Sequence, residues 1–451
     1  MLVALAFGCG GGDETVGDGS TGTPGSETGT STTAGVIESS SESGIVDSSS
    51  GSSSTGEPSA CGDGMRDGLE HCDPPGEESA CSNDCTLPSG APVWTVGFDS
   101  GDDDVAADIA VRDNGEIVVV GSSGDDAWIA VYGPAGDELS STVLELGAGD
   151  RDALAAVALH GGGMVVVGTA TAGTGDDANA DVLVVALDDV LATVWADRYD
   201  GGLADTGEEL AIADAGELVV VGRSEAEGSL ADAWIRRYDG AGTEVWTQTV
   251  DGAASGADVA NAVAWTPDGG LLVTGALTQQ TNDTDLWISA RTGDGDEQWN
   301  EVYDGGFGDD YGAGVVVDGD AIWVTGSIAN MLTNSEEAWV ARYDSGGTQA
   351  WATGFNSNGF VFESGEDLVV DGTEVWIAGV TSSPDQQRNV LAARFSEPMP
   401  AALWTDGTDG GPGLNDVGHG IARLSDGSAV VVGELTVLGQ GTDAWIRRYA
   451  P

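Results

Sequence analysis

Side chains that carry most enzyme chemistry are scarce in this chain, while carboxylates are abundant. Asp and Glu number 76 against 14 basic residues in 451, a formal net charge of −62. All 14 basic residues are Arg, so Schiff-base chemistry, a lysine general base and a P-loop lysine are absent. His occurs only at 71, 160 and 419, with no HExxH arrangement. The remaining chemistry is that of oxygen. Asp102, Asp103, Asp104, Asp205, Asp258, Asp309, Asp310 and Asp416 lie on Gly-rich loops, where clustered carboxylates could hold Ca²⁺, a hard cation that takes about six to eight oxygens. Asp102, Asp103, Asp104, Asp309 and Asp310 are the candidate ligands. No loop has the D-x-D-x-D-G…E spacing of an EF-hand, and the alternative is that each Asp caps a turn or accepts a backbone N–H as the chain enters a strand. No cofactor is expected, with Ca²⁺ the alternative that these loop carboxylates offer.

Other apparent catalytic signals dissolve on comparison within the chain. Tyr343-Asp344-Ser345-Gly346-Gly347 contains the D-S-G-G string found around the nucleophile of chymotrypsin-like proteases, but it occupies the same turn as Tyr238-Asp239-Gly240-Ala241-Gly242, which has no Ser. His160 and His419 sit in different repeats and registers and make a poor acid–base pair. Arg237, Arg342, Arg394 and Arg448 recur at one repeat position, which implies a structural task such as pairing with an acid or stacking on a ring. No residue is assigned a catalytic role, and the chain is expected not to be an enzyme.

Positioning falls to a repeat that begins near residue 91. A hydrophobic strand ending in Gly recurs as EIVVVG, MVVVG, ELVVVG, LLVTG, IWVTG, VWIAG and AVVVG, with the closing glycines at Gly121, Gly168, Gly222, Gly275, Gly326, Gly379 and Gly433. An alternating strand A precedes each and turns into it (strand B) at Asn-Gly, Gly-Gly or Asp-Gly pairs, which supply the positive φ of a hairpin turn. A third strand, C, follows in the pattern DAWIRRY. A fourth, D, is led by Trp195, Trp246, Trp299, Trp351 and Trp404, with Val143 in one copy. Four short strands per repeat of about 50 residues, with no helical period, predict an all-β fold: a seven-bladed β-propeller of four-stranded blades. Trp94 leads a strand D ahead of the first complete repeat, and the chain ends just after the last strand C. The N-terminal strand is therefore expected to complete the last blade, which closes the ring.

In that order the B–C and D–A connections share one face, and the A–B and C–D turns the other. B–C and D–A loops are longer, more variable and acidic, which marks their face as the candidate binding surface. Trp94, Trp195, Trp246, Trp299, Trp351 and Trp404 are expected to pack between blades. Asp239-x-x-Gly242-x-x-x-Trp246 and Asp344-x-x-Gly347-x-x-x-Trp351 are similar to the tryptophan-docking motif of quinoprotein propellers, but the adjacent-Cys pair of their quinone pocket is missing. The core D-x-A-x-D-x-x-G-x-x-Y/V-V-x-G of bacterial SBBP-type seven-bladed propeller repeats resembles Asp108-Ile109-Ala110-Val111 with Gly115 and Val118 to Gly121. The resemblance covers about 360 residues and implies fold rather than function.

Ahead of the repeats, Leu5-Ala6-Phe7-Gly8-Cys9 looks like the end of a bacterial lipoprotein signal (1–9), which implies a lipid anchor at Cys9. Residues 10–60 have no aromatic or basic residue and read as a disordered Ser/Thr/Gly/acidic linker. Cys61, Cys72, Cys81 and Cys85 form an even set in residues 61–90, the pattern of a small disulfide-stapled module. Four Cys allow three pairings. Zinc is the alternative, but the spacings lack paired knuckles. The CGDG opening and Cys72-Asp73 resemble the cysteine-rich repeats of myxobacterial-type surface proteins. The propeller then occupies residues 91–451.

These readings converge on a surface lipoprotein of the bacterial outer membrane, lipid-anchored or secreted and monomeric, that binds or scaffolds without catalysis. The acidic balance excludes nucleic acid and contact with a membrane other than through lipid, and it favours cationic groups on an unknown protein or glycan. The alternative function is a propeller hydrolase or lyase acting on extracellular polysaccharide with carboxylates in the mouth of the ring.

Overall fold

Alternating β-branched runs separated by Gly-rich turns leave each repeat no option but a small antiparallel sheet with two faces to bury. The computed structural model describes residues 87–451 except 145–150, 173–178, 255, 280–282, 307, 331–334, 357–361, 383–386, 397–401 and 412–413. Cys9, the linker 10–60 and Cys61, Cys72, Cys81 and Cys85 lie outside the described residues. The described residues open with β1 (Pro92–Phe98), and blade 1 follows as β2 (Asp104–Val111), β3 (Ile117–Ser123), β4 (Asp126–Tyr132) and β5 (Glu138–Leu144). Blade 2 is β6 (Arg151–His160), β7 (Gly163–Ala172), β8 (Asn179–Leu187) and β9 (Thr193–Tyr199). Blade 3 is β10 (Thr206–Ile212), β11 (Leu218–Ser224), β12 (Asp232–Tyr238) and β13 (Glu244–Val250). Blade 4 is β14 (Val259–Trp265), β15 (Leu271–Thr278), β16 (Thr284–Arg291) and β17 (Glu297–Tyr303). Blade 5 is β18 (Tyr311–Asp318), β19 (Ala321–Asn330), β20 (Ser335–Asp344) and β21 (Gln349–Phe355). Blade 6 is β22 (Ser364–Asp371), β23 (Glu374–Ser382), β24 (Arg388–Ser396) and β25 (Trp404–Thr408). Blade 7 is β26 (Val417–Arg423), β27 (Ala429–Val437) and β28 (Gly441–Tyr449), with β1 as its outer strand.

All seven sheets are four-stranded and antiparallel in the order A-B-C-D. β1 pairs with β28 from Trp94↔Arg448 to Phe98↔Ala444, and Gly90 and Ala91 add backbone bonds to Ala450. The seven inner strands contact one another in sequence, and β26 meets β2, so the ring is closed. The core is correspondingly divided. Each of seven apolar clusters joins two neighbouring blades, as where Ile117, Val119 and Trp128 of blade 1 meet Val430, Val432 and Ile446 of blade 7. No blade buries its faces alone, which makes closure a condition of stability.

Cross-strand partners in strands C and D lock the outer junctions. Trp94 pairs with Arg448 and Trp246 with Arg237, and both members of each pair reach the next blade. Trp94 Nε1 and Arg448 Nη1 both donate to Pro134 O, while Trp246 Nε1 and Arg237 Nη1 both donate to Gly293 O. Trp299 Nε1 donates to Ser345 O, and Trp195 lies against Gly242 of blade 3. Trp351 packs into the cluster shared by blades 5 and 6, and Trp404 stacks on Tyr449 of blade 7. Arg342 and Arg394 lie over Trp323 and Trp376. Arg237 and Arg448 thus tie neighbouring blades together and Arg394 also reaches Ser89 ahead of β1, whereas the rings under Arg342 and Arg394 belong to their own blades.

Candidate functional site

The site is built by an irregularity common to every blade. Each A–B pairing carries a one-residue register shift in strand A, at Ala107, Ala155, Glu208, Asn261, Ala313, Glu366 and His419. A bulge bends the strand and re-aims side chains. It also brings the carbonyl two residues before the bulge against the B strand. A Cβ on Gly121, Gly168, Gly222 or Gly326 would lie 1.9 Å from that oxygen, and one on Gly275, Gly379 or Gly433 2.0 Å. The closing glycine of the repeat is therefore the footprint of the bulge.

The bulges aim into the central channel. There a cavity of ≈ 680 Å³ is lined by Asp108, Glu208, Glu209, Asp309, Glu336, Glu366, Asp367 and Glu434, against Arg223, Arg388 and His419. Tyr311, Phe362, Asn261 and small apolar residues complete the wall. Because Asp309, Glu336 and Arg388 stand at the D–A and B–C ends of their strands, the mouth lies on the face that carries the variable loops.

Asp108, Glu209 and Asp367 occupy the position after the bulge in blades 1, 3 and 6. Val157 N donates to Asp108 Oδ2 at 2.8 Å and Ile421 N to Asp367 Oδ2 at 2.9 Å, so each carboxylate bridges to the next blade. Glu209 instead accepts from Leu210 N. These side chains keep some accessible surface, which faces the cavity. Burial pushes Asp367 up to about 7, with the Asp108 charge adding to it. Burial likewise raises Asp108, and Glu209 is held far above the usual carboxylate range by burial and by Asp108. Tyr311 OH donates to Glu366 at 3.3 Å, and burial followed by that carboxylate's charge raises the phenol.

Across the channel, His419 Nε2 lies 4.0 Å from Glu434 Oε2, too far for a hydrogen bond. Among the described residues neither atom has a hydrogen-bond partner, and Glu434 is only 8% exposed. Burial opposes a charged imidazole, but Glu434 and then Glu366 outweigh it and raise His419. Two complementary groups therefore face the cavity with unfilled hydrogen-bonding capacity.

The loop aspartates singled out by sequence fasten the loops that carry them. Asp104, Asp205, Asp258, Asp310 and Asp416 are at most 1% exposed. Asp258 accepts from Gly252 N and Thr278 N, Asp310 from Gly305 N and Ala329 N, and Asp416 from Gly410 N and Thr436 N. Asp205 clamps Gly201 N and Glu225 N, and Asp104 holds Ser100. Each fastens a D–A loop where the chain enters strand A. Asp103 accepts from Thr442 N and Asp309 from Thr284 N, while Asp102 is exposed beside Gly124. The structure therefore divides Asp102, Asp103 and Asp104 from Asp309 and Asp310, placing them at blades 1 and 5, which do not adjoin. His160 lies in the β6–β7 turn on the opposite face. Asp344 accepts from Gly346 N and Thr348 N as Asp239 does from Ala241 N and Thr243 N, so the D-S-G-G string is a turn.

The channel set of Asp108, Glu209, Glu366, Asp367, His419 and Glu434 was not singled out as a site from sequence. Its signal is nevertheless present as charged residues inside strands: Asp108, Glu209, Glu366, Asp367 and His419 lie 12 to 14 residues ahead of the closing glycine of their repeat, and Glu434 directly follows one.

No family model matches the chain, and no curated protein matches it. Among solved structures, the WD40 domain of Neurospora crassa Pan2 is similar at 10% identity and a TM-score of 0.48, over 77% of this chain and 89% of that one. A Dyadobacter fermentans protein of unknown function is 12% identical at a TM-score of 0.46, over 81% of this chain and 100% of that one. The polysaccharide lyase Uly1 is 10% identical at a TM-score of 0.45, over 76% of this chain and 90% of that one. These likenesses concern the fold alone.

Proposed function

We propose that the chain is a non-catalytic binding propeller of the bacterial surface whose channel mouth takes up a cationic group on a protein or glycan. The observation that carries this reading is Glu434 Oε2, buried without a hydrogen-bond partner among the described residues and facing a cavity with eight carboxylates against two Arg and one His. A buried carboxylate oxygen without a donor is costly, and a ligand N–H that supplies one recovers that cost. Recognition is thereby moved inward from the loop tips, which act as the entrance. The lipoprotein-like Cys9, the linker and the cysteine-rich module support tethering at the outer membrane or cell surface, and metabolic labelling with palmitate tests the anchor.

The test titrates the full chain with a tri-lysine peptide and with chitosan oligomers, followed by calorimetry. Glu434→Gln is expected to weaken binding about tenfold, as loss of one charge-assisted bond would. Affinity should rise from pH 5.5 to pH 8 as Asp367 ionises. Unchanged affinity in Glu434→Gln, or no binding by either probe, defeats the reading. A second reading, hydrolysis or β-elimination of polysaccharide, draws on Asp367 held near 7 beside Tyr311 and His419 in one cavity. Release of reducing ends that disappears in Asp367→Asn would favour it.

A further inference from the structure

The loop clamps belong to a larger pattern. At three successive blade junctions, the Asp that opens strand C and the Asp that follows strand D converge on the Asp that leads into the next strand A. The sets are Asp181, Asp200 and Asp205; Asp232, Asp251 and Asp258; and Asp285, Asp304 and Asp310, and in each the contributing oxygens lie within 4.8 Å of one another. Three carboxylates at that separation do not all remain ionised without a counter-charge.

The first set carries its own. Arg198 Nε lies 2.6 Å from Asp181 Oδ2, and Asn179 Nδ2 donates to the other oxygen. Arg198 pairs across the sheet with Leu183, and the residue in that register beside the third set is Val302, which pairs with Trp287. The same carboxylate arrangement therefore occurs once with an internal cation and once with an apolar residue in the cation's place. In the third set Asp285 is 8% exposed, and among the described residues neither a hydrogen bond nor an ion pair reaches it. It lies just beneath the surface, with Asp310 fully buried on one side and exposed Asp304 on the other, so an ion could enter from solvent past Asp304. Burial, then the charges of Asp304 and Asp283, raises Asp285 to about 6, and burial raises Asp310 to about 7.

We propose that Asp285, Asp304 and Asp310 bind a divalent cation, Ca²⁺, with water completing the oxygen shell. An all-oxygen donor set without His or Cys suits a hard cation, and a one-sided, irregular cluster suits Ca²⁺, which tolerates variable geometry, better than Mg²⁺. The site is separate from the channel reading, and the failure of either leaves the other intact. Only Asp310 belongs to the ligand set expected from sequence; Asp285 and Asp304 are brought to it by the fold.

The experiment titrates the full chain with CaCl₂ in about 0.15 M NaCl, which screens diffuse attraction to the acidic surface, with MgCl₂ in excess. A saturable calcium site and a calcium-dependent rise in melting temperature are expected. Asp304→Asn, on the exposed side, should weaken that site about tenfold or more and remove the thermal increment. Asp285→Asn relieves repulsion, so its calcium-free form should melt at or above wild type while gaining nothing from Ca²⁺, a combination that a purely structural aspartate would not produce. Asp200→Asn, in the set neutralised by Arg198, should bind as wild type. If Asp304→Asn and Asp285→Asn both titrate like wild type, or if Asp200→Asn loses the same site, the proposal is overturned.

Discussion

His419 and Glu434 show how one pair of side chains reports on the channel. Burial alone would favour the neutral imidazole, and the nearby carboxylates reverse that preference. Replacing Glu434 by Gln removes the larger opposing charge but leaves the burial, so the His419 pKa should fall from above the ordinary histidine value to below it. Proton NMR of the imidazole Cε1–H, with His71 and His160 assigned by substitution, reads that shift directly. An unchanged His419 titration in Glu434→Gln would mean that the carboxylate does not act on the ring, and that the channel lacks the polarity attributed to it. Linkage gives the matching stability sign. A histidine raised in the folded state contributes stability below its ordinary pKa and loses it as pH rises through the raised value.

At the scale of the strand, the bulge explains both what the sequence disclosed and what it concealed. The hairpin turns, the blade count and the union of β1 with β28 were legible because each depends on repeated local signals: a Gly with positive φ and an apolar run in all seven repeats, and a Trp leading strand D in six of them. The channel was not legible, because simple alternation along strand A fails at the inserted residue. Asp108, Asp367 and His419 therefore read as ordinary strand positions, while the loop aspartates stand out in Gly-rich segments. Yet the closing glycine recorded the bulge all along, since a side chain there would strike the carbonyl of the bulged strand. Two substitutions in blade 2 separate this close approach from simple turn preference. Gly168→Ala places a Cβ 1.9 Å from Ala153 O, whereas Gly161→Ala meets nothing within 4 Å and bears only the strain of φ +60°. Gly161→Ala should cost about 1–2 kcal/mol, and Gly168→Ala more than ~3 kcal/mol, because the strand pair must shift. Chemical denaturation measures both, and equal losses would detach the glycine from the bulge.

For the whole ring, the decisive quantity is the number of carboxylates placed where they resist ionisation. Asp310 and Asp367 are raised to about 7, and Asp285 and Asp443 to about 6, each with burial as the leading cause. Asp104, Asp205, Asp258 and Asp416 are raised as well, despite the backbone N–H groups that oppose the shift. Between about pH 4, where an unfolded Asp titrates, and pH 7, the folded ring binds more protons than the unfolded chain. Stability therefore falls as pH rises through that window and grows on acidification until the unfolded chain takes up the same protons. Glu116, Asp239 and Asp268 are lowered by their hydrogen bonds and work in the opposite sense, but only at the acid end. In EDTA the melting temperature should rise by several degrees from pH 8 to pH 5, whereas proteins built on salt-bridged carboxylates lose stability on that path. Surface repulsion in a chain of charge −62 would give the same trend, and salt separates the two causes. At about 1 M NaCl the Debye length falls to about 3 Å, so a trend arising at the surface collapses while one arising from buried aspartates persists. Asp367→Asn, which keeps the shape of the side chain and removes its ionisation, should raise the melting temperature at pH 8 and flatten the slope. A melting temperature that stays level or drops from pH 8 to pH 5 would show that these aspartates do not carry their burial as an ionisation penalty.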